Sequence, residues 1–311
     1  MNFAPIILFV YNRADHFRQT FEALARCPEA TDSELFIFSD GPKNTTAADK
    51  VQEVREAVRV LTKTGAFRQV HVQESQVNRG LASSVISGVT EVLEQHGRVI
   101  VLEDDCLASP HLLHYMNACL DYYEQDPNIG AIAGYTPAIP FPDDYDCDIF
   151  LAYRSCSCCW ATWQDRWSGV DWQLHDMASF YRRPSLIRRL NANGSDRFLR
   201  LYRQTKGNGS SWSVRFGAHL VKKDWLTVYP RYSYIQNIGC DASGVHSKAE
   251  DADAMRVDLT KALPAPRIET VPLNPKIQTA MKRHYSGGWL SDCKRFLTTY
   301  AIFLKERIKL R

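Results

Sequence analysis

Short, unbroken apolar runs punctuate the first third of the chain, and between them apolar residues recur at helical spacing. Residues 5–11 hold Ile6, Ile7, Leu8, Phe9 and Val10 in one run, which predicts a buried strand. Asn12-Arg13-Ala14-Asp15 then turns, and residues 16–25 have helical spacing through Phe17, Phe21 and Leu24. Residues 35–38 predict a second strand, ending in Ser39-Asp40-Gly41-Pro42, and residues 50–61 a helix with a polar face. A short third strand follows at 70–72, a helix at 80–94 through Leu81, Val85, Ile86, Val89, Val92 and Leu93, and a fourth strand at 99–102. Strands alternating with helices at this spacing predict an α/β fold: a Rossmann-like, mostly parallel sheet flanked by helices.

Beyond Gly134 the pattern changes. Residues 136–148 hold three prolines and four aspartates and read as a long loop. Trp160, Trp163 and Trp167 are spaced i, i+3, i+7, one face of a helix, with Trp172 close behind. Residues 191–211 are rich in Asn, Gly and Ser, and 212–222 read as a helix, 225–229 as a strand and 237–246 as a loop. In the tail, residues 289–311 carry Leu290, Cys293, Phe296, Leu297, Tyr300, Leu304 and Ile308 at helical spacing. Lys294, Arg295, Lys305, Arg307, Lys309 and Arg311 are interleaved, which predicts a basic amphipathic helix. Such a helix lies in an anionic membrane interface, or docks on its own domain or on a second subunit. The expected division is 1–135 for a nucleotide-binding half, 136–260 for an acceptor-binding and catalytic half of the same domain, and 261–311 for an extension.

Composition narrows the classes. The 311 residues carry a formal charge of only +3, which gives no sign of a nucleic-acid partner. No apolar run reaches the roughly 20 residues that span a bilayer. The first strand lacks the basic flank and cleavage site of a signal peptide. Nine cysteines without such a signal read as free thiols in a reducing cytoplasm, where the expected location is cytoplasmic or peripheral on the inner face of the membrane. The cluster Cys156, Cys158, Cys159 has no second pair to complete a zinc site and reads as packing.

The candidate chemistry sits where the fourth strand ends, in Glu103-Asp104-Asp105. Ligands of α/β sheets bind at the carboxyl ends of strands. Three adjacent acids repel and resist desolvation unless a cation joins them. Hard oxygen donors suit Mg²⁺ or Mn²⁺, which bridge to phosphate. The plain alternative is a solvated loop or a helix cap, since Ser109-Pro110 opens a helix-like stretch.

Four features fall on one sheet edge in this topology: Asn12-Arg13, Asp40-Gly41, Asn78-Arg79-Gly80-Leu81 and Glu103-Asp104-Asp105. With the late Asn237-Ile238-Gly239 and His246, the ordered set resembles the GT-A glycosyltransferases, over roughly residues 4–247. More narrowly, it is similar to bacterial relatives of the inverting N-acetylglucosaminyltransferase I group. The resemblance implies transfer of a sugar from a nucleotide donor, a UDP-sugar, to a hydroxyl of a bacterial surface glycan or glycolipid, with Mn²⁺ or Mg²⁺ and inversion. It implies that Asp105 and His246 ligate the metal, that Asp104 meets the ribose or a metal-bound water, and that Glu103 holds the surrounding backbone. It implies that Asp40 accepts from the base edge and that Asn12, Arg13, Asn78 and Arg79 face the nucleotide. Each has a plainer reading: Asp40-Gly41 as a turn pair, Asn78 as a helix cap, Arg13 and Arg79 as surface cations, His246 as a loop residue.

One departure matters. Relatives of this kind place a catalytic aspartate just after a tryptophan at the start of a late helix, and here Ser211-Trp212-Ser213 has serine there. Serine is no general base at neutral pH without help. Asp241 and Asp165 are the candidate bases, with a loop cap and a surface helix charge as their plain readings. Trp160 and Trp212 are the candidate sugar or acceptor contacts, with core packing as the alternative. Two rival functions remain open. One is a nucleotidyltransferase, against which the absence of a Gly-rich basic loop after the first strand argues. The other is a non-catalytic glycan- or partner-binding protein that has lost its base.

Overall fold

The computed structural model describes residues 3–239 and 256–310. The first half runs β1 (Ile6–Val10), α1 (Ala14–Ala25), β2 (Glu34–Ser39), α2 (Thr45–Leu61), β3 (Gln69–Glu74), α3 (Leu81–His96), β4 (Arg98–Glu103), β5 (Cys106–Ala108), α4 (Leu112–Tyr123) and β6 (Ile129–Ala133). The second half runs β7 (Ile149–Ala152), β8 (Cys159–Trp163), α5 (Gln164–Trp167), α6 (Ala178–Arg182), α7 (Pro184–Leu190), α8 (Arg197–Gln204), α9 (Trp212–Lys222), β9 (Leu226–Pro230), β10 (Ile235–Asn237), α10 (Pro275–Tyr285) and α11 (Trp289–Ile308).

Eight strands form one sheet in the order β3-β2-β1-β4-β8-β6-β9-β7, and β5 pairs with β10 in a separate ribbon. The first four strands are parallel, as the βα alternation requires. β8 then runs antiparallel between β4 and β6. Position explains composition. β1 lies between β2 and β4 and is buried at all five residues, so its run is wholly apolar. β3 is one of the two edge strands and reads Gln-Val-His-Val-Gln-Glu, with none of its residues buried.

The tryptophan cluster corrects a sequence expectation. Trp160 and Trp163 lie on strand β8, not on a helix, and their odd separation sends them to opposite faces. Trp160 stacks on Trp212 at 4.8 Å and on Trp167 at 5.4 Å between ring centres, and Trp167 meets Phe216 at 5.2 Å. Trp160 and Trp212 are only 1% and 3% exposed. Neither ring is available to a sugar, so both candidate contacts are core residues. The Asn- and Gly-rich stretch also holds structure: α8 buries Phe198 and Leu201. Its apolar residues, Phe198, Leu199, Leu201 and Tyr202, are set among Arg and flanked by Asn-, Gly- and Ser-rich segments, which obscured the helix.

The main core reaches from Ala4 to Met281, so α10 closes the same interior that β1 opens. A second, smaller core gathers Phe180, Leu186, Leu190, Phe198 and Val221 with Phe303 of α11. No helix among the described residues is long and apolar enough to cross a membrane.

The stacked tryptophans make Trp212→Ala a large loss of buried surface. Denaturant unfolding is expected to show a destabilisation of about 3–5 kcal/mol. A change under 1 kcal/mol would mean that the stack does not hold α9 to the sheet.

Candidate functional site

β1 and β4 are parallel neighbours, with Phe9 opposite Glu103. Their carboxyl ends therefore release Asn12-Arg13 and Asp104-Asp105 side by side. Arg13 Nη2 donates to Asp104 Oδ1 and to Asp105 Oδ2, the latter at 2.9 Å. Burial alone would lower the guanidinium's pKa, but the two carboxylates outweigh it and the net direction is upward. Asp104 is pushed up to about 6 by burial, against the pull of Arg13. Glu103 rises to about 8, from burial and then from repulsion by Asp105 and Asp104.

The surrounding backbone holds this pair of acids from three directions. Thr20 Oγ1, from α1, donates to the Asp104 carbonyl at 2.8 Å. Ile238 N donates to the Asp105 carbonyl at 2.9 Å, and Asn237 Nδ2 to Asp105 Oδ1 at 3.2 Å. The β5–β10 ribbon makes this possible, since it pairs Cys106 with Asn237. Asn237 Oδ1 in turn accepts from Gly239 N at 3.0 Å. A Cβ on Gly239 would overlap Asp105 Oδ2, so any side chain there would displace that carboxylate. Cys106 and Cys158 lie beneath, their sulfurs 3.2 Å apart.

Asp40 is tied into the loop that leads to α3. Its carboxylate accepts from Gly41 N at 2.9 Å, Arg79 N at 2.8 Å, Gly80 N at 2.9 Å and Asn78 Nδ2 at 3.2 Å. Asn78 Nδ2 also donates to the Gly41 carbonyl at 2.7 Å. Gly41 is pressed on the Val77 backbone, where a Cβ would come within 2.5 Å. Both Asp40 oxygens are thus spent on buckling the end of β2 to the loop before α3. That leaves little capacity for a base edge. A cavity of about 210 Å³ lies beside the buckle, between Asp40, Glu74, Arg79, Ser84 and Ser87. Since β1 separates β2 from β4, the buckle and the acids are about 10 Å apart, two strand spacings.

The other sequence candidates divide. Arg13, Asp104, Asp105 and the Asn237-Ile238-Gly239 segment come together. Asp165 does not: β8 is antiparallel to β4, with Trp163 opposite Arg98, so Asp165 lies at the far end of that strand. There it is exposed and paired with Arg166. Ser213 is buried, its carbonyl taking hydrogen bonds from Ser155 and Arg197 at 3.1 Å. Asp241 and His246 lie outside the described residues. Among the described residues no three His, Cys, Asp or Glu side chains are grouped to hold a metal ion by themselves. The donor set still suits one: two carboxylates face a single place, which the Arg13 guanidinium takes here. Sequence reasoning passed over Thr20, Gly239 and Cys158 as contributors. Only the Asn-x-Gly spacing at 237–239 carried any signal of that contact.

Residues 6–145 match the Glycosyl transferase family 2 model, a span from β1 through β6 and the loop beyond. That part of the chain is similar to the glycosyltransferases of this family, and it lies on an α/β sheet consistent with the GT-A arrangement. Solved structures similar to it include the mannosyltransferase PcManGT from Pyrobaculum calidifontis in complex with GDP-Man and Mn²⁺. That match has 16% identity and a TM-score of 0.38, and covers 58% of this chain and 52% of that one. S. aureus TarS matches at 11% identity and a TM-score of 0.41, over 74% of this chain and 36% of that one. The chain thus spans about half of the first structure's length and about a third of the second's. No curated protein matches the chain.

The raised carboxyls predict a pH dependence. An acid whose pKa is higher folded than unfolded contributes stability at low pH, and loses it as pH rises through the folded value. Here the window runs from about 4 to about 6 for Asp104 and on to about 8 for Glu103. In chelator, Glu103→Gln is expected to gain Tm relative to wild type as pH rises from 5 to 8. A constant difference between the two would show that Glu103 does not titrate there.

Proposed function

We propose that the chain is a metal-dependent glycosyltransferase that moves a sugar from a nucleoside-diphosphate donor, a UDP-sugar, to a hydroxyl of a bacterial surface glycan or glycolipid. The observation that carries this reading is the cation place between Asp104 and Asp105, at the end of β4 and inside the matched domain. Asp105 and Asp104 would hold Mn²⁺ or Mg²⁺, whose charge offsets that growing on the departing diphosphate. Arg13, paired with both acids, would share that anion. His246 is the further ligand the reading requires. Asp241 is the remaining candidate base, since Asp165 stands at the wrong end of the sheet. Inversion at the anomeric carbon rests on the resemblance of the motif set.

The rivals fare unequally. A nucleotidyltransferase needs a loop to cradle a triphosphate after β1, and here α1 starts at Ala14 with only three residues between. A binding protein without a base remains the second reading, because serine occupies position 213. Slow hydrolysis of a sugar nucleotide separates it from an enzyme. The reading also includes peripheral attachment to an anionic membrane through α11, whose apolar residues Trp289, Leu290, Phe296 and Leu297 are all more than half exposed.

Calorimetric titration with UDP and Mn²⁺ tests the site. Asp105→Asn is expected to abolish metal-dependent binding with the fold intact, and Gly239→Ala to weaken it about tenfold or more by displacing Asp105. Unchanged affinity in both would remove these acids from the site. His246→Ala is expected to reduce turnover more than His219→Ala. His219 is packed in α9, and burial lowers its pKa to about 4, so it is neutral and internal. Equal losses would make His246 an ordinary loop residue.

A further inference from the structure

A cavity of about 780 Å³ opens between α7, α10 and α11, well away from the acids of β4. That volume lies in the range of small-molecule pockets, about 300–1,000 Å³. Its wall is apolar: Ile187 from α7, with Phe296, Leu297, Tyr300 and Phe303 from α11. Arg188 and Lys282 stand at its rim, both exposed. Asp292 is the one acid lining it among the described residues. That carboxylate is already engaged, by Ser195 Oγ at 2.5 Å and by Arg295 at 3.9 Å.

The mouth continues into uncovered apolar surface. Phe296, Leu297 and Tyr300 are 69%, 65% and 53% exposed, and Trp289, Leu290 and Ile308 extend the same helix. Of α11, only Thr299 and Phe303 are buried. A patch of this kind on a folded chain marks a binding surface.

Charge says what covers it. Residues 178–206 and 275–311, which frame the cavity, hold 17 Lys and Arg against three acids, a net +14. The whole chain is +3, so all other residues together are net −11. A second copy docking by this same face would bring another +14 against the patch, which opposes a two-fold dimer there. A sugar would find few hydrogen-bonding groups on an aromatic and aliphatic wall. An anionic lipid supplies both the hydrocarbon and the negative charge.

We propose that this cavity takes one hydrocarbon chain of an anionic membrane phospholipid, with the lipid phosphate at the rim cations Arg188 and Lys282. The inference rests on the peripheral attachment of the proposed function and gives it a defined lipid site.

The full-length protein is titrated with dodecyl phosphate below its micelle concentration, with inorganic phosphate and dodecyl maltoside as controls. Co-sedimentation with phosphatidylglycerol and phosphatidylcholine vesicles runs in parallel. One dodecyl phosphate per chain is expected, with no binding of inorganic phosphate, and preference for the anionic vesicles at low salt. Cys293→Trp, which fills the cavity from α11, is expected to lose dodecyl phosphate while still binding anionic vesicles. Arg188→Ala with Lys282→Ala, on exposed side chains outside the packing, should weaken dodecyl phosphate about tenfold. Vesicle binding without stoichiometric dodecyl phosphate, or equal binding by wild type and both variants, would overturn the cavity site and leave the peripheral reading standing. Loss of both signals in wild type, or a dimer that excludes dodecyl phosphate, would overturn both.

Discussion

Two carboxylates at the mouth of a buried strand stay there only against a cation. Asp104 and Asp105 are buried by the elements around them, and burial pushes Asp104 and Glu103 toward protonation. Arg13 answers part of that cost by bonding both aspartates. The neighbouring elements follow from this one constraint. β1 must run parallel beside β4 to deliver Arg13, and the ribbon must return Asn237 to the Asp105 carboxylate. Any side chain at Gly239 would displace that carboxylate, because the Asp105 oxygen occupies the place of its Cβ.

Asp40 meets the same problem in another way. It too is an acid at a strand end, but three backbone N–H groups and the Asn78 amide surround it. Amide donors stabilise a carboxylate without any cation. The outcome is a clasp rather than a cation place. It fixes where α3 begins and so shapes the wall of the cavity beside β2. Two acids that look alike in sequence thus differ in role because of what the chain folds over them.

The molecule is also divided by charge. The segments around α7, α8, α10 and α11 carry a net +14, while the remainder is net −11. α11 packs through a narrow strip, Phe303 above all, and leaves its larger apolar side chains outside.

The alternation of apolar runs and helical spacing determined the N-terminal sheet within a few residues, because buried parallel strands need unbroken β-branched and aromatic runs and their crossovers need amphipathic helices. The acidic triplet was legible for the same reason: a charge cluster directly after a buried run can only emerge at a strand end. Helix α9 also stood out, through its dense apolar face. Strands β5, β6 and β7 did not: β5 is only three residues long, and the runs of β6 and β7 lie either side of the Pro- and Asp-rich segment, where the regular alternation with helices ends. The tryptophans misled, since a spacing of three and four occurred by coincidence on a strand followed by a turn. Tertiary structure alone decided that Trp160 and Trp212 are internal and that Asp165 is at the wrong end of β4. It also decided that the Asp40 carboxylate is spent. Each depends on strand order and direction or on a long-range partner, and local spacing carries no record of either.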